Sequence, residues 1–224
     1  MDWRFLPTPR PAIHGTGVYP AESRSDFDHV EELWRAVYGR ELGWLPADAA
    51  ALHADRFHPH SVYLLAQVDG EVVGTMRLVR DSDAGLPVEQ FVSIEKIRDA
   101  ATPRLIECQR LMIMPDQRNQ RLAEMPFGVL GALVKGCLHW CLANGYSHIV
   151  ADLFVDTPTT PTAPLLALGF TETGLEFVDT ELAEPDRSTA LLLQVGELFS
   201  RAYRCASDFY HYLIAPDPAV DVYH

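Results

Sequence analysis

Lysine is almost missing from this chain. Its 224 residues hold only Lys96 and Lys135, so nearly all of the positive charge is arginine. Acidic residues outnumber basic ones 31 to 18, and the net charge is −13. That deficit excludes a generic nucleic-acid binder, because neutralising phosphates needs a basic surface. Arginine forks well onto phosphate or carboxylate, although a GC-rich coding sequence accounts for the bias equally well. Cysteine is also scarce. Cys108, Cys137, Cys141 and Cys205 form no CxxC pair. Cys137 and Cys141 stand one helical turn apart on an apolar face and read as core rather than zinc ligands. This usage indicates reduced thiols and a cytoplasmic protein. The opening residues MDWRFLPTPRP lack an apolar run, so no secretory signal is expected. Lys135 and His139 interrupt the most apolar stretch, so no membrane span is expected. His53, His58 and His60 lack a strict ligand spacing, so no metal is expected.

Hydrophobic residues make up 48% of the chain and charged residues 22%, enough apolar material for a core without staples. The length suits one domain over residues 1–224, with an N-terminal arm at 1–21 and an aromatic, helical tail at 198–224. Ser25 can cap a first helix carrying Phe27, Val30, Leu33, Trp34 and Val37 at helical spacing. Ala47–Arg56 reads as a second helical piece. Asp69-Gly70 signals a hairpin between Ser61–Val68 and Glu71–Val79. A strand over Leu105–Met114 precedes an amphipathic helix over Glu124–Ala143, with Pro126 in its first turn. His148–Val155 is a buried strand, a short helix ends at Gly169-Phe170, and Ser188–Val195 is a last strand. The order predicts an α/β (α+β) fold: a mixed, mostly antiparallel sheet with helices on both faces.

Strand, arginine-bearing loop, then long helix resembles the donor-binding core of GNAT acyltransferases. In that family a glycine-rich loop and the helix N-terminus hold a pyrophosphate. Here the loop reads Arg118-Asn119-Gln120-Arg121-Leu122-Ala123; Arg118 and Ala123 match, and Arg121 replaces the central glycine. Further matches are more specific. Arg35-Ala36-Val37-Tyr38 with Leu42-Gly43-Trp44, Asp55-Arg56-Phe57-His58, Gly74 to Arg77-Leu78, Leu86-Pro87 with Phe91, and Glu107-Cys108-Gln109-Arg110 occur in order. Together they resemble the acyl-homoserine-lactone synthases and the related N-acyl amino acid synthases. His58 and Gln109 depart from that pattern.

The resemblance implies an N-acyltransferase. It would move an acyl chain from an acyl carrier protein or acyl-CoA thioester to the amine of an amino acid or similar small molecule. No cofactor would be bound permanently, and contact with a membrane would be limited to a lipid product. Three alternatives stay open: an autoinducer synthase, an acetyl-CoA-dependent acetyltransferase, and a non-catalytic GNAT-fold binding module. The altered loop argues against the acetyltransferase. The departures at His58 and Gln109 argue against the autoinducer synthase, and the joint presence of Glu107 and Arg77 against the binding module.

Glu107 is isolated in an apolar strand. Burial makes such a carboxylate a better proton acceptor, so it is the candidate base, directly or through water, with Arg110 its catalytic neighbour. An ion pair with Arg77 or Arg110 is the structural alternative. In a regular strand Arg110 faces away from Glu107, and a bulge would change that. Arg77 needs a partner: Glu107, Asp55 or the acceptor's carboxylate. Arg77, Arg35, Asp55, Trp44 and Phe91 form the expected acceptor pocket. The resemblance implies that a strand amide near Leu111 or Met112 binds the thioester oxygen. Arg118, Arg121 and Ala123 are the expected donor loop, with Arg104 adding to a basic patch for a carrier protein. Tyr146 is one candidate acid for the leaving sulfur. Trp34, Trp44, Phe91, Phe127, Trp140 and Phe154 read either as an acyl tunnel or as ordinary core.

Overall fold

The structure is a computed structural model that describes residues 15–45, 49, 55–99, 104–155, 160, 162–180, 182, 187–204 and 207–223. The predicted helix at Ala47–Arg56 lies mostly outside the described residues.

Seven strands form one sheet in the order β1-β2-β3-β4-β5-β7-β6. They are β1 (Gly17–Pro20), β2 (Ser61–Val68), β3 (Glu71–Arg80), β4 (Leu105–Ile113), β5 (His148–Phe154), β6 (Thr171–Phe177) and β7 (Ser188–Gln194). β4 and β5 run parallel, and every other neighbouring pair is antiparallel. Two strands were not legible in the sequence. β1 sits inside the expected arm, where Pro20 is tolerated because it ends an edge strand. β6 is the other edge and buries few of its residues, so its apolar pattern is weak.

Helix α1 (Arg24–Trp34) is capped by Ser23, two residues before the expected cap Ser25. Ser23 and Asp26 close a capping box, each side chain accepting the other's backbone N–H. Its apolar stripe runs into a π-helical turn over Arg35–Glu41. Strand alternation then sorts the core. Leu64 and Ala66 of β2 pack toward α3 (Gly128–Ala143), while Tyr63 and Leu65 pack toward α1. Beside α1, on its side of the sheet, a loop carrying α2 (Glu95–Asp99) covers Leu105 and Val150. Arg98 pins that loop by bonding both Asp81 and Glu89.

The expected amphipathic helix is not amphipathic: 13 of the 16 residues of α3 are buried. A helix apolar all round needs cover on every side. The C-terminal segment supplies it, through α5 (Val195–Arg204), α6 (Asp208–Ile214) and the residues that follow. Lys135, 1% exposed, pairs with Asp217 at 3.0 Å and lies 4.1 Å from the Tyr212 ring. His139 bonds the Leu213 carbonyl and the Tyr223 hydroxyl. α3 also begins at Gly128 rather than Glu124. Gly128 has φ +74°, outside the helical basin, and Leu122 and Met125 exchange hydrogen bonds in the turn before it. Pro126 therefore lies ahead of the helix.

Candidate active site

β4 and β5 stay paired from Leu105↔His148 to Cys108↔Ala151, and no pair follows. The first unpaired residues are Gln109 and Asp152. Beyond them a cavity of about 460 Å³ passes through the gap. Its α3 side is apolar, with Leu130, Val134, Leu165, Leu168 and Phe170, the first two from α3 and Leu165 and Leu168 from α4 (Thr162–Leu168). Its opposite mouth holds Tyr38, Trp44, Gln109, Arg110, Asp152 and Phe154.

A bulge builds that mouth. Arg77 faces Gln109 and Thr75 faces Met112, so Met76 alone spans Arg110 and Leu111. Arg110 takes φ +50°, a left-handed conformation that a non-glycine side chain adopts at a cost of about 1 kcal/mol or more. Parity switches there. Glu107 and Gln109 face the α1 side, and past the bulge Met112 does so while Leu111 turns to the cavity. The irregularity brings Arg110 onto the face of Glu107, as a regular strand would not.

Arg110 lies 4.4 Å over the Trp34 ring and 3.9 Å from the Asp55 carboxylate. Asp55 also takes Arg77 Nη1 at 2.5 Å and the Phe57 amide at 2.7 Å. Burial pushes the Asp55 carboxyl up, but the Arg77 bond and charge outweigh it and hold the group below its usual value. Arg77 is wholly buried, its Nε donates to Ser61 Oγ at 2.8 Å, and it does not line the cavity. It stands one layer behind the site, holding Asp55, which in turn holds Arg110.

Two carboxyls share this face. Glu107 is 2% exposed, its Oε2 accepts the Val88 N–H at 2.9 Å, and it does not line the cavity. Burial and the charge of Asp152 push it well above its ordinary value. Asp152 does line the cavity, and its Oδ1 has no hydrogen-bond partner. Burial first, then the charge of Asp179, pushes it up to about 6. Gln109 Nε2 and Thr160 Oγ1 are likewise buried without partners on the same cavity wall. Such unpaired groups each cost about 1–3 kcal/mol and mark a place prepared for a ligand. Asp152 belongs to no motif. Its signal was an acidic residue inside the buried-strand pattern of His148–Val155, the same signal that singled out Glu107.

Several expected residues lie elsewhere. Arg35 is 61% exposed and 3.7 Å from Glu31, because the stripe that buries Trp34, Val37 and Tyr38 turns position 35 outward. Phe91 stacks on Phe177 at 5.4 Å in the cluster beneath the α2 loop, away from the cavity. Of the expected tunnel aromatics, Trp44 and Phe154 line the cavity and meet edge to face at 4.5 Å. Trp34 backs Arg110, Phe127 packs on Phe209, and Trp140 stacks on Tyr146. Tyr146 is thereby outside the cavity. Arg104 lies 5.0 Å over Tyr146 at the start of β4, the opposite end from the donor loop, so it adds nothing to a patch there. Arg118 does line the cavity, held there by Glu41 at 2.6 and 2.7 Å and by the Ile113 carbonyl, whereas Arg121 and Ala123 are exposed and do not line it. The Met112 side chain is buried in the α1-side cluster. Among the described residues no group of three metal-ligating side chains occurs.

A family profile described as N-acyl amino acid synthase FeeM matches residues 29–152. Among solved structures, FeeM, an N-acyl amino acid synthase from uncultured soil microbes, superimposes with TM-score 0.63 at 17% identity, over 83% of this chain and 93% of that one. The CoA-dependent acyl-homoserine lactone synthase BjaI, solved with SAM and isopentyl-CoA, gives 0.57 at 17% identity over 89% and 99%. Escherichia coli ElaA gives 0.55 at 12% identity over 80% and 99%. No curated protein matches by sequence. The profile takes in α1 from His29 onward, the Asp55–Arg77–Arg110 chain, β4 with its bulge, and β5 as far as Asp152. The fold is that of the GNAT acyltransferases, and the chain belongs to the N-acyl amino acid synthase FeeM family.

Proposed function

We propose that this protein is an N-acyltransferase that moves a medium- or long-chain acyl group from a pantetheine thioester to the amine of an amino acid or similar small molecule. One observation carries the reading: a single cavity joins an apolar chamber under α3 to a polar mouth at Gln109, Arg110 and Asp152. An acyl chain suits the chamber, where each buried methylene contributes about 0.8 kcal/mol. An acetyl group leaves most of that apolar space unused. The thioester then lies in the gap between β4 and β5, where the β4 backbone past Cys108 has no strand partner on the β5 side. Amides near Leu111 polarise its carbonyl. The Arg110 guanidinium, fixed by Asp55 and Trp34, meets the acceptor's carboxylate.

The amine attacks the carbonyl directly. The C–N bond forms, the C–S bond breaks, and the sulfur leaves as a thiol. An acyl-cysteine intermediate is not part of the scheme. The cavity-lining Cys108 thiol is pushed well up by its hydrogen bond with Cys137 and by burial, which keeps it protonated. Mass spectrometry of lipid extracts from cells overexpressing the protein tests the reading. New N-acylated amino acids support it. N-acylated lactones in their place make it an autoinducer synthase, and no new N-acyl product overturns it.

The donor in this proposal is an acyl carrier protein. Arg121 is exposed where a glycine would admit a coenzyme phosphate, and it offers a cation to an acidic carrier on a chain of net charge −13. Arg118 is already neutralised by Glu41, so Arg121 supplies the attraction. Arg121→Glu is expected to lower kcat/KM for the acyl-carrier donor about 10-fold at low salt and less at high salt. The same acyl chain on coenzyme A should change by no more than about 2-fold, on the ordinary scale of exposed charges. Wild-type enzyme that prefers acyl-CoA would overturn the assignment of the donor.

A further inference from the structure

Asp152 is the first β5 residue beyond the last β4–β5 pair, so it stands where the thioester carbonyl and the amine must meet. It lines the cavity, and its Oδ1 has no partner. Glu107, one strand over on the same face, is shut behind the Val88 amide. We propose that Asp152 is the catalytic residue that takes the proton from the acceptor amine, and that Glu107 is a buried carboxyl behind it that takes no part in the transfer. The proposal rests on the N-acyltransferase reading above.

Three titratable or charged groups face Asp152, and one ion pair stands behind them. Glu107 and Arg110 come from β4, Asp179 from the segment after β6, and the Asp55–Arg77 pair stands behind Arg110. Two adjacent buried carboxyls cannot both stay ionised, so the deeper one holds its proton. Glu107 is that one, and Asp152 at about 6 is the anion at neutral pH. The acceptor enters as an ammonium against this carboxylate. Desolvation inside the cavity favours the neutral amine and neutral acid over the ion pair, which moves one proton to Asp152 and on to solvent. The free amine attacks. Its second proton goes to the departing sulfur, leaving an amide and a thiol. Atoms and charge balance with no further reactant.

Asp152→Asn is expected to lower kcat about 100-fold with acceptor KM little changed, the scale of a lost general base. Glu107→Gln keeps the deeper group neutral and is expected to stay within about 5-fold of wild type, with its acid limb in place. The wild-type enzyme supplies a reading that no folding defect of a variant can confuse. Its log kcat/KM should rise with unit slope below a bend at pH of about 6 and level above it. A 100-fold loss in Glu107→Gln with near-normal Asp152→Asn would overturn the proposal, as would a wild-type profile flat between about pH 5 and 7. Either outcome leaves the acyltransferase reading standing. That reading fails separately, if the wild-type enzyme forms no N-acyl product from any thioester donor.

Discussion

Asp55→Ala should cost about 3 kcal/mol of folding stability or more. Asp55 is the counter-ion of Arg77, which has no exposed surface at all. Removing it strands a buried guanidinium whose remaining side-chain bond goes to Ser61 Oγ, with Nη2 already unpartnered. Breaking a buried pair from one side is the costly direction, because the surviving charge keeps its full desolvation penalty. Replacing both members by apolar residues, as in Asp55→Ala/Arg77→Met, should recover much of the loss. The pH dependence has a definite sign. The Asp55 carboxyl titrates lower in the folded chain than in the unfolded one, so its stabilisation is complete above about pH 4 and fades as pH falls further. Urea unfolding at pH 7 should therefore show the full gap between wild type and variant, with a narrower gap in acid. A gap below about 1 kcal/mol at pH 7 would mean that the pair is no stronger than a surface contact.

Ala151→Phe should separate long acyl chains from short ones. Ala151 is 4% exposed, sits on the α3 side of β5 beside the gap, and lines the cavity. A phenyl ring there projects into the chamber rather than into packed core, which limits the overpacking penalty to about 1 kcal/mol. Displacing about five methylenes at about 0.8 kcal/mol each removes about 4 kcal/mol of transition-state binding. That is about 10³-fold in kcat/KM for a long-chain donor, whereas an acetyl or butyryl donor should change by less than about 5-fold. The ratio of the two donors cancels any general damage to the enzyme. Equal losses with both would show that the acyl chain lies elsewhere.

The mouth of the cavity depends on one irregular residue. Had β4 continued regularly, Arg110 would have pointed toward α3, and Asp55 would have held only Arg77. The left-handed backbone at Arg110 converts a strand that reads E-C-Q-R into a surface presenting Glu107, Gln109 and Arg110 together. Strain of this kind is tolerated where the surroundings hold it, and the Trp34 ring and the Asp55 carboxylate do so here.

The sequence by itself determined the order of most elements along the chain, the hairpin at Asp69-Gly70, the strand–loop–helix unit and the family. Those are local matters: turn chemistry, apolar period and short motifs with fixed spacing. It also marked Arg77, Glu107 and Arg110 as exceptional, since a charge in an apolar strand demands a partner. Which partner each one takes is not local. Arg77 and Asp55 are 22 positions apart and meet only because β3 places one behind the loop that carries the other. Arg35 and Phe91 carried matching motifs yet turned away from the cavity, because a motif fixes residue type and not direction. The burial of α3 on all sides was decided by the C-terminal segment folding back on Lys135 and His139, contacts 74 to 84 positions apart. Asp152 stands out for the same reason. Its place at the point where β4 and β5 part depends on where their pairing stops, and only the assembled sheet fixes that.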